Sequence, residues 1–309
     1  HNYTGADMTP DDLSESNAQV KTDQAKYFYF TVKSWDKFRS YIKQPEGTIL
    51  TQTANELKKV IDKYVIDTFC SDVAAGNRIG TDYITGTVEV TATTGAVVGS
   101  GTTFTAGMLG KGFKALGHTE WYRVKTYTDA THIVIEDDKD DSTSAYTGGA
   151  IGAGATYAVQ ANTAVQVTKD TVFGQFMAMS EILDDNEIPE EDRWAVVPAQ
   201  IKTLIVKSPE YLNDTADARE EATKRGYVGQ YAGFKIYGVS KKRMSGDSVN
   251  GWRILAGHKS AITFAMGLTE NGTEDAHGNF GTRYKSLYVY GGKVADERRK
   301  ALAELFGKL

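Results

Sequence analysis

At 309 residues the chain is longer than one usual domain, so a main domain carrying an insertion, or two domains, is expected. Hydrophobic residues at 40% and charged residues at 24% allow a sizeable core, while a net charge of −5 argues against gripping nucleic acid through a broadly basic surface. One cysteine, Cys70, excludes an internal disulfide framework and any all-cysteine metal cluster. No apolar run reaches the roughly 18 residues that span a bilayer.

Residues 1–18 are polar and acidic, without periodicity. The start at His1 rather than Met, with no basic-then-apolar signal, fits an N-terminus that is either processed or incomplete. Val20 and the run Tyr27, Phe28, Tyr29, Phe30 and Val32 flank the polar stretch KTDQAK. That pattern predicts a β-hairpin, whose aromatic faces need a cover from the rest of the chain or from a neighbouring molecule. From Thr51 the period changes: Ala54, Leu57, Val60, Ile61, Tyr64, Val65 and Phe69 recur at helical spacing. Thr53 with Glu56 fits a capping box and Gly76-Asn77 a stop, giving a helix of about two dozen residues, or about 36 Å. Cys70 falls on this pattern as a small buried hydrophobe.

Between 81 and 160, alternating stretches such as TVEVTA, EWYRVKTYT and THIVIEDD are separated by turn residues, which predicts a small antiparallel β domain dropped into the chain. The tract TGGAIGAGATY reads as a flexible or tight-turning segment near its end. Beyond it, Val172, Phe176, Met179, Ile182 and Leu183 share a helical face. RWAVVP then reads as a short buried strand, and Ile201, Leu204 and Ile205 as the inner face of a helix started by Pro198. GYVGQYAGFKIYGVS predicts two short strands, and the remainder an alternation of strand and helix.

The motifs that would carry chemistry fail on their spacing. Around Lys111, Thr105 stands where a phosphate loop needs its first glycine, and Gly112 where it needs a hydroxyl. Gly238 and Ser240 begin a nucleophile elbow that Lys242 does not close. His1, His118, His132, His258 and His277 are scattered. EDDKDD at 136–141 lacks the order and the glycine of a calcium loop. Asp184, Asp185, Glu187, Glu190, Glu191 and Asp192 crowd a Pro-containing loop, where mutual repulsion favours exposure over an acid–base pair. No catalytic residue, cofactor or metal is expected.

The order of these pieces resembles the major capsid (coat) protein of tailed bacteriophages, the Hong Kong 97-like fold. VKTDQAKYFYFTV is similar to the extended-loop hairpin of such proteins, and ANELKKVIDKYVIDTF to their long spine helix. MSEILDDNEIPEEDRWAVVPAQIKTLI is the most specific segment; GYVGQYAGFKIYGVS looks like the axial-domain hairpin, and WRILAGHKSAITFA like a returning strand and helix of the peripheral domain. The resemblance implies an α+β fold with an N-terminal arm and extended loop at 1–40, spine helix at 41–80, inserted β domain at 81–160, axial domain at 161–254, and peripheral return strands with a C-terminal helix at 255–309. It also implies a structural, non-enzymatic protein. Hexamers and pentamers of it would build an icosahedral virion head, assembled in the host cytoplasm around double-stranded DNA that it contacts non-specifically. Scaffolding, portal and decoration or cement proteins are the further partners the resemblance admits. On this reading Tyr27, Phe28, Tyr29 and Phe30 form a subunit interface. Two other classes compete: a secreted or surface β-rich binding protein for glycans, against which the missing signal and disulfides weigh, and a hydrolase using acids among 184–192.

Overall fold

The computed structural model describes residues 20–39, 45–138, 145–213, 229–244, 246–247, 251–276 and 280–309. The expectations placed on 1–19, 139–141 and 226–228, and on His277, lie outside the described residues.

Strand β1 (Gln24–Lys33) begins inside KTDQAK, at Gln24, and among the described residues no strand precedes it, so Val20 does not pair back onto it as a local hairpin. The short helix α1 (Ser34–Arg39) follows, then the long helix α2 (Pro45–Ser71). Its 27 residues span about 40 Å at 1.5 Å per residue. It opens at Pro45, suited to a first helical turn, six residues before the expected start. Thr53 is therefore no cap: its hydroxyl donates back to the Ile49 carbonyl one turn earlier (2.8 Å). The threonines and Gly47 of this first stretch are weak helix formers and disguise it in the sequence.

Two-residue β2 (Arg78–Ile79) leads into a self-contained sheet. Its strands are β3 (Thr81–Tyr83), β4 (Thr87–Val90), β5 (Ala96–Ser100), β6 (Gly112–Ala115), β7 (Tyr122–Asp129), β8 (His132–Asp137), β9 (Ile151–Ala155) and β10 (Tyr157–Thr163). They lie in the order β3-β10-β6-β7-β8-β5-β4-β9, all pairs antiparallel. A separate core of Val88, Val97, Phe104, Phe113, Ile133, Ile135 and Val159 fills it. The glycine-rich tract is not a turn throughout: Ile151–Ala155 is edge strand β9, its small residues too uniform to show a period. The chain leaves this unit where it entered. A Cβ on Gly80 would stand 2.6 Å from the Ala161 Cα, so the two ends cross in backbone contact.

The rest of the chain adds β11 (Val165–Gln166), α3 (Val172–Asp185), β12 (Arg193–Pro198), α4 (Ala199–Lys207), α5 (Pro209–Asn213), β13 (Gln230–Tyr231), β14 (Phe234–Val239), β15 (Gly246–Asp247) and β16 (Gly251–His258). After it come β17 (Ile262–Asp275), β18 (Gly281–Val294) and β19 (Leu302–Lys308). The main sheet runs β11-β19-β16-β12-β14-β13, with β2 beside β19 and β15 beside β16. Both its faces are covered. Ala195, Val197, Ile254, Ala303 and Leu305 meet α3 and α4, while Leu255 and Leu302 lie in the core on the other side with Ile66, Phe69 and Cys70 of α2. Burial on both faces explains why RWAVVP reads as a continuous apolar run.

Two expectations for the C-terminal part are corrected. The stretch after His258 is strand β17, not a helix, and no C-terminal helix forms: Asp296–Ala301 is a 3₁₀ turn and Leu302–Lys308 a central strand. Arg, Lys, Ala, Leu and Glu favour helices, but here burial of successive side chains on opposite faces overrides propensity. A boundary at 254/255 also does not hold, since β16 runs through it. Strands β17 and β18 instead leave the sheet as a long ribbon to which β1 adds a third strand, in the order β1-β18-β17.

Candidate functional site

The acidic loop after α3 is a clasped, exposed turn. Arg193, 2% exposed, reaches back from the first position of β12. Its guanidinium donates to the Pro189 and Ile188 carbonyls, to Ser180 Oγ (3.0 Å) and to Asp184 Oδ1 (2.7 Å). Glu187 and Asp192 take left-handed backbone conformations (φ 58° and 56°), so the loop folds tightly. Lys235 reaches Asp192 across the surface (2.6 Å) and, by hydrogen bond and charge, holds its carboxyl below the usual range. All six carboxylates are exposed. No desolvated acid faces another one there, which is what proton-transfer chemistry needs. Among the described residues no three His, Cys, Asp or Glu side chains gather in a way that could hold a metal.

The other candidate residues sit on the ribbon. Strand β1 pairs with β18 over its whole length, from Gln24 opposite Tyr290 to Lys33 opposite Gly281. Alternation then splits the four aromatics. Phe28 and Phe30 are half-buried, stack on each other at 5.9 Å, and Phe30 stacks on Tyr284 at 5.3 Å. Tyr27 is 78% exposed and Tyr29 half-exposed under the Arg283 guanidinium, 6.0 Å away. Phe28, Tyr284 and Tyr288 face Leu50 and Ala54 of α2 across a groove of about 450 Å³.

The sequence reading missed the ribbon's far end. Trp35 and Phe38, three apart on α1, are exposed, Phe38 to 87%. Phe280, the residue before β18, is 93% exposed and its carbonyl accepts from the Ser34 amide (3.0 Å). Three large aromatics in water at one end of a ribbon are unusual, because a contiguous apolar patch of several hundred Å² ordinarily marks an interaction site. Their spacing in the chain has no period, and Phe280 lies far from Trp35 in sequence, so the cluster exists only through the β1–β18 pairing.

The junction of the inserted sheet with the main sheet is polar and tightly paired. Arg299, buried, ion-pairs with Asp138 (2.9 Å) and donates to the Asp72 and Asp138 carbonyls. Glu304 on β19 is buried between Arg78 (3.2 Å) and Arg253. Burial pushes its carboxyl up, but the two guanidiniums outweigh that and hold it below the usual range. Lys111 donates to the Ala161 and Asn162 carbonyls (3.1 and 3.0 Å) and lies over the Phe306 ring. Burial lowers its ammonium to about 8.

The chain matches no protein-family model and no curated protein. Its fold does match solved phage structures. A structure from Mycobacterium phage Che8 superposes with a TM-score of 0.56 at 15% identity, covering 97% of this chain and 76% of that one. The capsid structure of cyanophage P-SCSP1u gives 0.56 at 15%, covering 99% and 79%. The asymmetric unit of the mature capsid of bacteriophage PhiM1 gives 0.50 at 13%, covering 99% and 79%. The class of architecture is thereby fixed: an α+β phage-capsid fold, shared along nearly the whole chain.

Proposed function

We propose that this chain is a major capsid protein that self-assembles into the icosahedral, Hong Kong 97-like head of a tailed double-stranded DNA phage. Its place is the virion, and its role is structural. The carrying observation is an aromatic ribbon end held in water on a chain whose whole length adopts a capsid fold. In the assembly Tyr27, Phe28, Tyr29 and Phe30, with Trp35, Phe38 and Phe280, meet the next subunit. The pieces divide as arm and ribbon, spine helix α2, inserted sheet at 81–160, and a main sheet supplying the axial and peripheral parts.

The energetics favour many weak identical contacts. Three exposed aromatics offer on the order of 500 Å². Burying that area contributes roughly 12 kcal/mol gross at about 25 cal/mol per Å². Association costs of about 4–15 kcal/mol take up most of it. One such contact is marginal, and a closed ring of them is stable because each subunit then makes two.

The test is sedimentation with negative-stain microscopy of shells formed by the wild type and by a Tyr27→Ser, Phe28→Ser, Phe30→Ser variant. Wild-type shells and a folded variant that forms none are expected. Normal shells from the variant would remove the ribbon from the interface. A wild type that stays monomeric even with a scaffolding protein would overturn the capsid reading itself.

A further inference from the structure

A groove of about 670 Å³ lies along the side of α2 that carries Gln52, Asn55 and Lys59 rather than Leu50 and Ala54. A 3₁₀ turn, Lys241–Arg243, borders it. Its wall is polar throughout: Gln52, Asn55 and Lys58, and two ion pairs, Lys59 with Glu56 and Arg243 with Asp62. Lys63, one turn beyond Lys59, and Lys241 and Lys242, adjoining Arg243, extend this surface and are all exposed.

Six cations therefore meet two carboxylates. Among the described residues Lys58, Lys63, Lys241 and Lys242 have no ion-pair partner. Four positive charges are left uncompensated on a chain whose net charge is −5. The next carboxylate along α2, Asp67, acts on Arg253 and Cys70 instead. Lys59 and Lys63 stand four residues apart, a spacing at which like charges weaken a helix. A polyanion laid along the groove relieves that repulsion.

We propose that this groove seats the sugar-phosphate backbone of duplex DNA without reading its sequence. The inference rests on the capsid reading, which puts a duplex against the shell. Ammonium groups and the Gln52 and Asn55 amides are donors that suit phosphate oxygens. No aromatic ring lines the groove to stack an unpaired base. From Gln52 to Lys63 α2 rises about 16 Å, a length over which a duplex carries about nine charges. An extended acidic peptide carries at most about five over that length, so a duplex is the denser match.

The test titrates the unassembled full chain into a labelled mixed-sequence duplex of about 20 base pairs, by fluorescence anisotropy at salt between about 50 and 200 mM. It compares wild type, Lys58→Gln/Lys63→Gln/Lys242→Gln, and a Lys169→Gln/Lys207→Gln/Lys259→Gln control with the same change of charge at other exposed positions. Glutamine matches lysine in helix propensity, and circular dichroism checks that each variant folds. Four uncompensated cations give wild type a slope of log K against log salt near about −3.6. The groove variant should bind at least about tenfold more weakly at the lowest salt, with a slope shallower by about 2.7, and the control should stay within about twofold of wild type. No saturable binding by wild type up to about 200 µM at the lowest salt, or equal losses in the two variants, overturns the proposal. A poly-glutamate peptide of matched charge that binds more tightly than the duplex, with the same loss in the groove variant, also overturns it and assigns the groove to an acidic protein segment. Shell formation is read separately by sedimentation. Wild-type shells without duplex binding break this proposal alone, whereas duplex binding by a chain that never forms shells breaks the capsid reading.

Discussion

Replacing Arg193 with Met removes four hydrogen bonds at once while keeping the apolar stem. Two of the acceptors, the Ile188 and Pro189 carbonyls, belong to the loop, and the other two, Asp184 and Ser180, stand on α3. Breaking a buried pair by deleting one partner costs about 3–5 kcal/mol. Asp184 is half-exposed, so water takes over its carboxylate and the cost falls toward about 3 kcal/mol. For a chain of this size that lowers Tm by about 6–12 °C. Lysine lacks the planar fork and recovers only part of the loss. Glu190→Gln with Glu191→Gln, exposed in the same loop, changes stability by no more than about 0.5 kcal/mol. Urea and thermal unfolding of the unassembled subunit measure all three, with amide exchange at 186–192 as a local readout. An Arg193→Met subunit within about 1 kcal/mol of wild type, or full rescue by lysine, would refute the clasp.

Lys111 sets a pH dependence whose sign follows from its lowered pKa. Between about 8 and the ordinary lysine value of 10.5 the unfolded chain binds the extra proton, so this residue's contribution to stability rises with pH through that window. Glu304, Arg253 and Arg78 face it, and Tyr157 and Cys70, both raised chiefly by burial, are present in wild type and variant alike, so the comparison subtracts them. The urea midpoint of wild type relative to Lys111→Gln should therefore rise between pH 7.5 and 9.5; a constant difference would refute the assignment. Deleting Asp82–Ala161 should leave a main sheet that still unfolds cooperatively, because the two ends cross in contact. That deletion strips Asp138 from buried Arg299, an unpaired charge worth about 3–5 kcal/mol, and adding Arg299→Leu should recover part of it. A deleted chain that is unfolded with either residue at 299 would contradict the independence of the inserted sheet.

What the sequence revealed and hid divides by the range of the contacts involved. The periods of α3, RWAVVP and α4, and the turn-spaced strands between 81 and 160, are local, and each element forms where its pattern predicts. The aromatic run at 27–30 is also plainly a strand, but its partner lies at 284–287, and a local hairpin is the nearest arrangement a short window can suggest. RRKALAELF looks helical until Glu304 is seen held by Arg78 and Arg253 from distant strands. Thr53-x-x-Glu56 has a cap's spacing inside a helix that has already begun. The aromatic end at Trp35, Phe38 and Phe280 was beyond reach, because two segments some 240 residues apart build it.

That separation also orders events in time. Gln24 waits for Tyr290, 266 residues later, and at about 5–20 residues per second that is roughly 13–50 s of translation. The central strand β19 emerges later still. A nascent or truncated chain therefore holds neither the finished ribbon nor the closed sheet, and β1 can enter its place only as synthesis ends. The aromatic end at Trp35, Phe38 and Phe280 is assembled only once β18 has begun to emerge, so the first about 270 residues of a nascent chain do not yet present it as one patch.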